Sequence, residues 1–131
     1  MRVSKRSQYG LRALFRLAES DGYSPLRTIA EREDISFDYL EKILTQLEKG
    51  GLVRSKRGVS GGYSLAKLPA DIDLKNVLEI LEMKFSLVEC IDTECDRKES
   101  CPIASVWMYL DSALKDALKA ITLEDLIKMH G

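Results

Sequence analysis

The stretch ISFDYLEKILTQLEKGGLVRSKRGVSGGYSLA, residues 35–66, decides the fold. Leu40, Ile43, Leu44 and Leu47 recur at the three-and-four spacing of one buried helical face, with Ser36 placed to cap it, which predicts a helix over 37–49. Gly50-Gly51 ends that helix, because glycine enters the left-handed C-cap conformation at little cost. Leu52-Val53-Arg54-Ser55 and Tyr63-Ser64-Leu65-Ala66 then read as two short strands, and Lys56 to Gly62 as a basic, glycine-rich hairpin tip between them.

Working toward the N-terminus, Ser24-Pro25 reads as a cap followed by proline at the first helical position. The short helix after it carries Leu26, Ile29 and Ala30, and Glu33-Asp34 form a polar turn into Ile35. Two short helices joined by a tight turn make a helix-turn-helix, with the small Ala30 allowing close approach. Before it, residues 7–20 read as an amphipathic helix capped by Ser7, with Leu11, Leu14, Phe15 and Ala18 on one face and Arg12 and Arg16 on another. Toward the C-terminus, Pro69 marks a boundary and a helix runs from Asp73 through Met83, with Leu74, Val77, Leu78 and Leu81 on one stripe. Residues 84–100 lack a regular period. From Pro102 to Ala120, Ile103, Val106, Trp107, Leu110, Leu114 and Leu118 form a long apolar seam, and Thr122-Leu123-Glu124-Asp125 starts a terminal helix.

The expected architecture is mainly α with a small β-hairpin: a winged helix-turn-helix over 1–68, then a cysteine-loop sensor and dimerisation region over 69–131. A long helix following a small domain has little of its own chain to cover it, so the seam is read as a homodimer interface. Two symmetric readers then require a pseudo-palindromic operator, its half-sites about one helical turn or a multiple apart.

With 131 residues, 45% hydrophobic and 31% charged, the chain is too short for a barrel enzyme or a full dinucleotide fold and too apolar for disorder. No apolar run reaches the roughly 18 residues of a membrane span. Arg12 and Arg16 interrupt the N-terminal segment as a signal-peptide stretch, so a cytoplasmic protein with no membrane association is expected. The net charge of −1 hides an asymmetry: 13 Lys/Arg against 8 Asp/Glu up to residue 68, and 7 against 13 after it. A basic front half suits a polyanion, although scatter over two solvated faces also yields such a split.

DNA binding needs cations for phosphates and a rigid element for the major groove. The second helix of the pair presents Asp38, Glu41, Lys42, Thr45 and Lys49 outward, with Ser36, Phe37 and Tyr39 at its leading end. In the hairpin, Lys56, Arg57, Ser60 and Gly61 are the candidate contacts, with Arg57 suited to the negative potential of a minor groove. Asp38 and Glu41 repel phosphate but can accept from cytosine N4; facing solvent or pairing with Lys42 are the alternatives.

Cys90, Cys95 and Cys101 are spaced C-x4-C-x5-C. Three thiols clustered in a non-periodic stretch suit one metal centre, and soft thiolates favour iron–sulfur chemistry; ordinary thiols and a redox-switch thiol are the other readings. His130 lies next to the C-terminal residue and reads as an end residue and not a ligand. There is no C-x-x-C, no paired histidine and no nucleotide loop, so no enzyme is expected.

The runs Ile35 to Glu41, Leu47, Gly51-Leu52-Val53, Arg57-Gly58 and Gly61 to Leu65 closely resemble the Rrf-two family of bacterial winged-helix regulators. So do Met1 to Ser4, Tyr9 to Leu14, and the cysteine trio followed by the helix with Trp107; the likeness runs over nearly the whole chain. The resemblance implies a homodimer joined through the long helix, a cluster held by Cys90, Cys95 and Cys101, and operator binding that depends on cluster state. It carries Arg57 over as a minor-groove arginine and Ser36, Asp38, Tyr39, Glu41 and Lys42 as the reading face, with Glu41 helping to discriminate between DNA sites.

Two departures stand out. Some members place a histidine ligand three residues after the last cysteine, where this chain has Ala104; others supply an aspartate from the partner's N-terminal region, where this chain has Gln8. The fourth ligand is thus unassigned among Glu89, Asp92, Glu94, Asp96, Glu99, Gln8 and an exogenous group, and a 4Fe–4S cluster stands beside 2Fe–2S. The function expected is a DNA-binding regulator sensing iron, redox state or nitric oxide. The alternative is a cluster-free regulator that uses thiol oxidation or a protein partner.

Overall fold

The computed structural model describes residues 2–82, 85–88 and 100–130. Among these, six α-helices and one two-stranded hairpin follow in the order α1 (Lys5–Glu19), α2 (Leu26–Glu33), α3 (Phe37–Lys49), β1 (Val53–Lys56), β2 (Gly62–Leu65), α4 (Leu74–Leu81), α5 (Ala104–Lys119) and α6 (Leu123–His130). A short 3-10 turn, Pro69–Asp71, precedes α4.

Helix α3 occupies the predicted span. Ser36 Oγ accepts from Tyr39 N–H at 3.2 Å, and the chain leaves the helix through Gly51 at φ +81°. Leu40, Ile43, Leu44 and Leu47 are fully buried. At roughly 1.5–3 kcal/mol for each such side chain, they anchor the helix and leave its opposite face free. The hairpin is antiparallel, pairing Val53 with Leu65 and Lys56 with Gly62.

Two expected caps are not where the sequence pattern put them. Ser4, not Ser7, caps α1, accepting from Ser7 N–H at 3.2 Å, so the helix starts earlier than expected. Ser7 is buried and its hydroxyl donates to Glu82 Oε1 at 2.7 Å, where the Ser4 N–H and hydroxyl also donate, each at 2.8 Å. Helix α2 begins at Leu26, with Pro25 as an N-cap that makes no side-chain bond. Ser24 is taken instead by the sheet: its N–H and C=O pair with Tyr63 C=O and N–H, both at 2.8 Å. A backbone ladder satisfies two polar groups at once, which a lone hydroxyl cap does not.

Ile72, Val77, Leu81 and Leu123 join Leu14, Leu40, Ile43 and Leu47 in one buried cluster, so the segment after the hairpin packs on the helix-turn-helix. Helix α6 is started by a reciprocal cap in which Thr122 N–H donates to Asp125 Oδ2 at 2.9 Å and Asp125 N–H to Thr122 Oγ1 at 3.2 Å.

Glu82 and Glu33 set an acid limit to this packing. Burial pushes the Glu82 carboxyl up, but the Ser4 and Ser7 hydrogen bonds and the nearby Arg6 charge outweigh it, leaving its pKa below the ordinary carboxylate value. Burial likewise raises Glu33, and the guanidinium hydrogen bonds of Arg16 and Arg12 outweigh it. A carboxyl depressed in the folded state adds stability that is complete above its unfolded pKa and is lost as pH falls through its folded pKa. The melting temperature is therefore expected to fall from roughly pH 5 downward, and Glu82→Gln to flatten part of that fall; a melting temperature independent of pH between 3 and 6 would contradict it.

Candidate nucleic-acid interface

The face of α3 opposite its leucines presents Asp38, Glu41, Lys42, Thr45 and Lys49, all exposed, with Ser36 exposed at its start. Among the described residues, Lys42, Lys49, Lys56 and Arg57 form no ion pair. Their charges thus have no acidic partner among the described residues. Asp38 lies in the first turn of α3, where the helix dipole favours a carboxylate, so it has a structural use apart from any base contact. Tyr39 is half-buried, its ring edge-on to Tyr9 at 5.8 Å between centroids, which fixes it at the leading end.

The hairpin stands beside this face through three links. Glu48 Oε2 accepts from the Ser55 N–H at 3.0 Å and the Ser55 hydroxyl at 2.7 Å, joining α3 to β1. The Tyr63 phenol lies by Thr45; burial pushes its pKa up, the Thr45 hydroxyl pulls against that, and Glu48 and Glu41 add to the rise, leaving it above the ordinary tyrosine value. Ser24 pairs with Tyr63 from the α1–α2 connection, and the Lys56 ammonium lies 5.6 Å from the centroid of the Tyr23 ring. Lys56 closes β1 and belongs to the ladder more than to the tip. Arg57 and Ser60 are exposed at the tip, as is Val59, whereas Gly61 is buried and its N–H donates to Gly58 C=O at 3.0 Å. No feature of spacing marks Glu48 or Tyr63 as wing supports, since both act across the α3–hairpin contact.

Arg12 and Arg16 do not belong to the free cations. Arg12 Nε lies 3.0 Å from Glu33 Oε1 and Arg16 Nε 2.7 Å from Glu33 Oε2, while an Arg12 Nη donates to the Glu33 C=O. This clamp ties α1 to the end of α2, the first helix of the helix-turn-helix.

Of the cysteine set, Cys101 is half-buried just before α5, and Cys90 and Cys95 lie outside the described residues, as do Glu89, Asp92, Glu94, Asp96 and Glu99. Ala104 is the first residue of α5 and offers no donor. Gln8 is exposed on α1, its amide bonded to Val3 C=O at 3.1 Å. Among the described residues no group of three or more His, Cys, Asp or Glu is arranged to hold a metal.

The apolar seam divides. Trp107, Leu114 and Leu118 are half-buried, while Ile103, Val106 and Leu110 stay exposed with Met108 and Tyr109, the last 74% exposed. Of the described residues in α5, Asp111 alone is buried, accepting from Leu87 N–H at 3.1 Å and pairing with Lys115 at 2.9 Å. Among the described residues no helix is long and apolar enough to cross a membrane.

A buried-backed helix with a polar outer face and a cationic hairpin fixed beside it define a winged-helix DNA-binding protein. The comparisons place it further. Residues 3–129 match the family model Rrf2, described as an iron-dependent transcriptional regulator, and the chain belongs to that family. The transcriptional regulator CymR of Bacillus subtilis is 35% identical over 96% of this chain and 89% of its own. Its solved structure, described as the global cysteine regulator, matches with a TM-score of 0.80, 33% identity and 98% of each chain covered. The transcriptional regulator IscR of Pectobacterium carotovorum is 33% identical over 97% of this chain and 79% of its own. The oxidized form of Staphylococcus aureus CymR matches with a TM-score of 0.75 at 30% identity, covering 97% of this chain and 96% of that one. These relatives are named as regulators, and the chain is a member of a DNA-binding family with no catalytic role.

Proposed function

We propose that the chain is a cytoplasmic, homodimeric regulator that grips a pseudo-palindromic operator and answers iron, redox state or nitric oxide through an iron–sulfur cluster. The observation that carries the DNA-binding part is the unneutralised polar face of α3 beside a wing whose Arg57 is exposed and unpaired among the described residues. Ser36, Asp38, Tyr39, Glu41 and Lys42 meet base edges and phosphates in the major groove, while Arg57, with Lys56 and Ser60, reaches the adjoining minor groove. Gly61 keeps the tip compact and does not itself need to touch DNA.

Exposed Val106 and Leu110 on α5, with Ile103 just before it, support the second copy, since an apolar strip is costly to leave in water. Two α3 helices related by that pairing match an operator with two-fold symmetry.

For the cluster, the donor chemistry fits: Cys101 is half-buried and forms no disulfide among the described residues, and three thiols within twelve residues offer the soft ligands iron–sulfur centres take. Cys90, Cys95 and Cys101 would hold it, and when bound it supplies an iron- and oxidant-sensitive cross-link between them. Protein purified without air is expected to be coloured and to contain iron and sulfide, both lost in Cys95→Ala. Colourless protein carrying stoichiometric zinc would overturn the cluster and leave the DNA reader standing.

The oxidized CymR relative favours a second reading, in which the same thiols switch DNA affinity directly. Metal-free protein whose operator affinity changes with a thiol oxidant would select it.

A further inference from the structure

We infer that Arg27 is a DNA-phosphate contact, presented by the ring of Phe37, that joins the wing to the recognition helix into one continuous anionic-ligand surface. The inference rests on the DNA-binding reading of α3 and the wing and adds a residue outside both.

Arg27 is the second residue of α2 and is exposed. Its guanidinium carbon lies 5.1 Å from the centroid of the ring of Phe37, the first residue of α3. An arginine laid on an aromatic ring keeps its N–H donors free at the rim while losing little freedom on binding, which suits phosphate better than a mobile lysine. Placement argues the same way. Two residues before α2, Ser24 is paired with Tyr63 of β2, and Lys56 reaches Tyr23, so the start of α2 lies against the wing. Phe37 puts the same side chain at the leading end of α3. Arg27 thus stands between the two elements that meet the duplex, where the first helix of a helix-turn-helix crosses the backbone.

Apart from the Phe37 ring, its charge has no partner among the described residues. Arg12 and Arg16 are held by Glu33, Lys75 by Glu79 and Lys115 by Asp111, but among the described residues Arg27 makes no ion pair, not even with Glu31 four residues on. The first turn of α2 contains no acid, and a cation there opposes the helix dipole. A cation that works against its own helix dipole, lies on a ring and stays exposed is accounted for by an anion arriving from outside.

The test is binding to a mixed-sequence 30-base-pair duplex, and to an operator selected by the protein from a random pool, over a series of salt concentrations. Arg27→Gln is expected to weaken both by a similar factor of about tenfold and to lower the slope of log affinity against log salt by about two per dimer, one contact from each protomer. Arg27→Lys, which keeps the charge without the planar stack, is expected to keep most of the slope. The melting temperature of Arg27→Gln is expected to stay within a few degrees of the parent. An unchanged salt slope, or a loss confined to the selected operator, would overturn the inference. Arg57→Gln separates the two levels: if it weakens binding while Arg27→Gln does not, Arg27 alone is excluded. If the parent protein shows no salt-sensitive binding at all, the DNA-binding reading falls with it.

Discussion

Gly62→Ala is expected to destabilise the protein by about 3 kcal/mol and to weaken duplex binding well over tenfold. Gly62 has φ +137°, a region that alanine enters at a cost of about 1–3 kcal/mol. An added Cβ would also fall on the Ser24 carbonyl, and relief means breaking the Ser24–Tyr63 pair, whose two hydrogen bonds contribute about 1 kcal/mol each. That pair seats the wing on the α1–α2 connection, so its loss frees Arg57 from a defined position. Gly58→Ala is the comparison: its φ is +108° but nothing lies near the added Cβ, so only backbone strain is charged to it. Urea unfolding and duplex titration of the two variants decide the matter; equal stability of Gly62→Ala and the parent would refute the account of the wing.

Glu33→Gln should cost about 2 kcal/mol. The carboxylate is 8% exposed and receives charge-assisted hydrogen bonds from two arginines, each contributing about 1.5–3 kcal/mol when formed and less where the arginine is partly solvated. An amide has one acceptor oxygen and no charge, so one guanidinium loses its bond to the side chain of residue 33, and Arg12, still bonded to the carbonyl there, and Arg16, still paired with Glu19, are left as adjacent like charges. Adding Arg12→Met to Glu33→Gln is expected to recover part of the loss, because the repulsion between the two guanidinium groups is then removed. Denaturation of the single and double variants measures it. A Glu33→Gln variant as stable as the parent would show that the clamp is incidental. Since the clamp ties α1 to the helix-turn-helix, a duplex-affinity loss accompanying the stability loss is expected.

What could be read from residue order was local and periodic. The four core positions of α3, its Ser36 cap, the Gly50-Gly51 stop, the hairpin after it and the Thr122 start of α6 each depend on neighbours within a turn or two. The exposed face of α3 followed as the complement of its buried stripe, whereas the seam read as one uncovered strip divides, Ile103, Val106 and Leu110 of it staying exposed. Local spacing reads Ser7 as the cap of α1, but Ser4 caps it; the Ser7 hydroxyl is buried and donates to Glu82, 75 residues downstream, a partner no local pattern announces. Ser24 was diverted from capping by Tyr63 in the same manner.

Charge behaved similarly. Arg12, Arg16, Arg27 and Arg57 are equal contributors to a basic front half when counted along the chain. Packing sorts them: two are spent on a buried carboxylate, one is laid on an aromatic ring and one is left in solvent at the wing tip. Local periodicity suffices for helices and strands because hydrogen bonding and side-chain burial repeat over short intervals. Which polar group answers which depends on distances between segments far apart in the chain, and those exist once the core has brought α1, α2, α3 and the hairpin together.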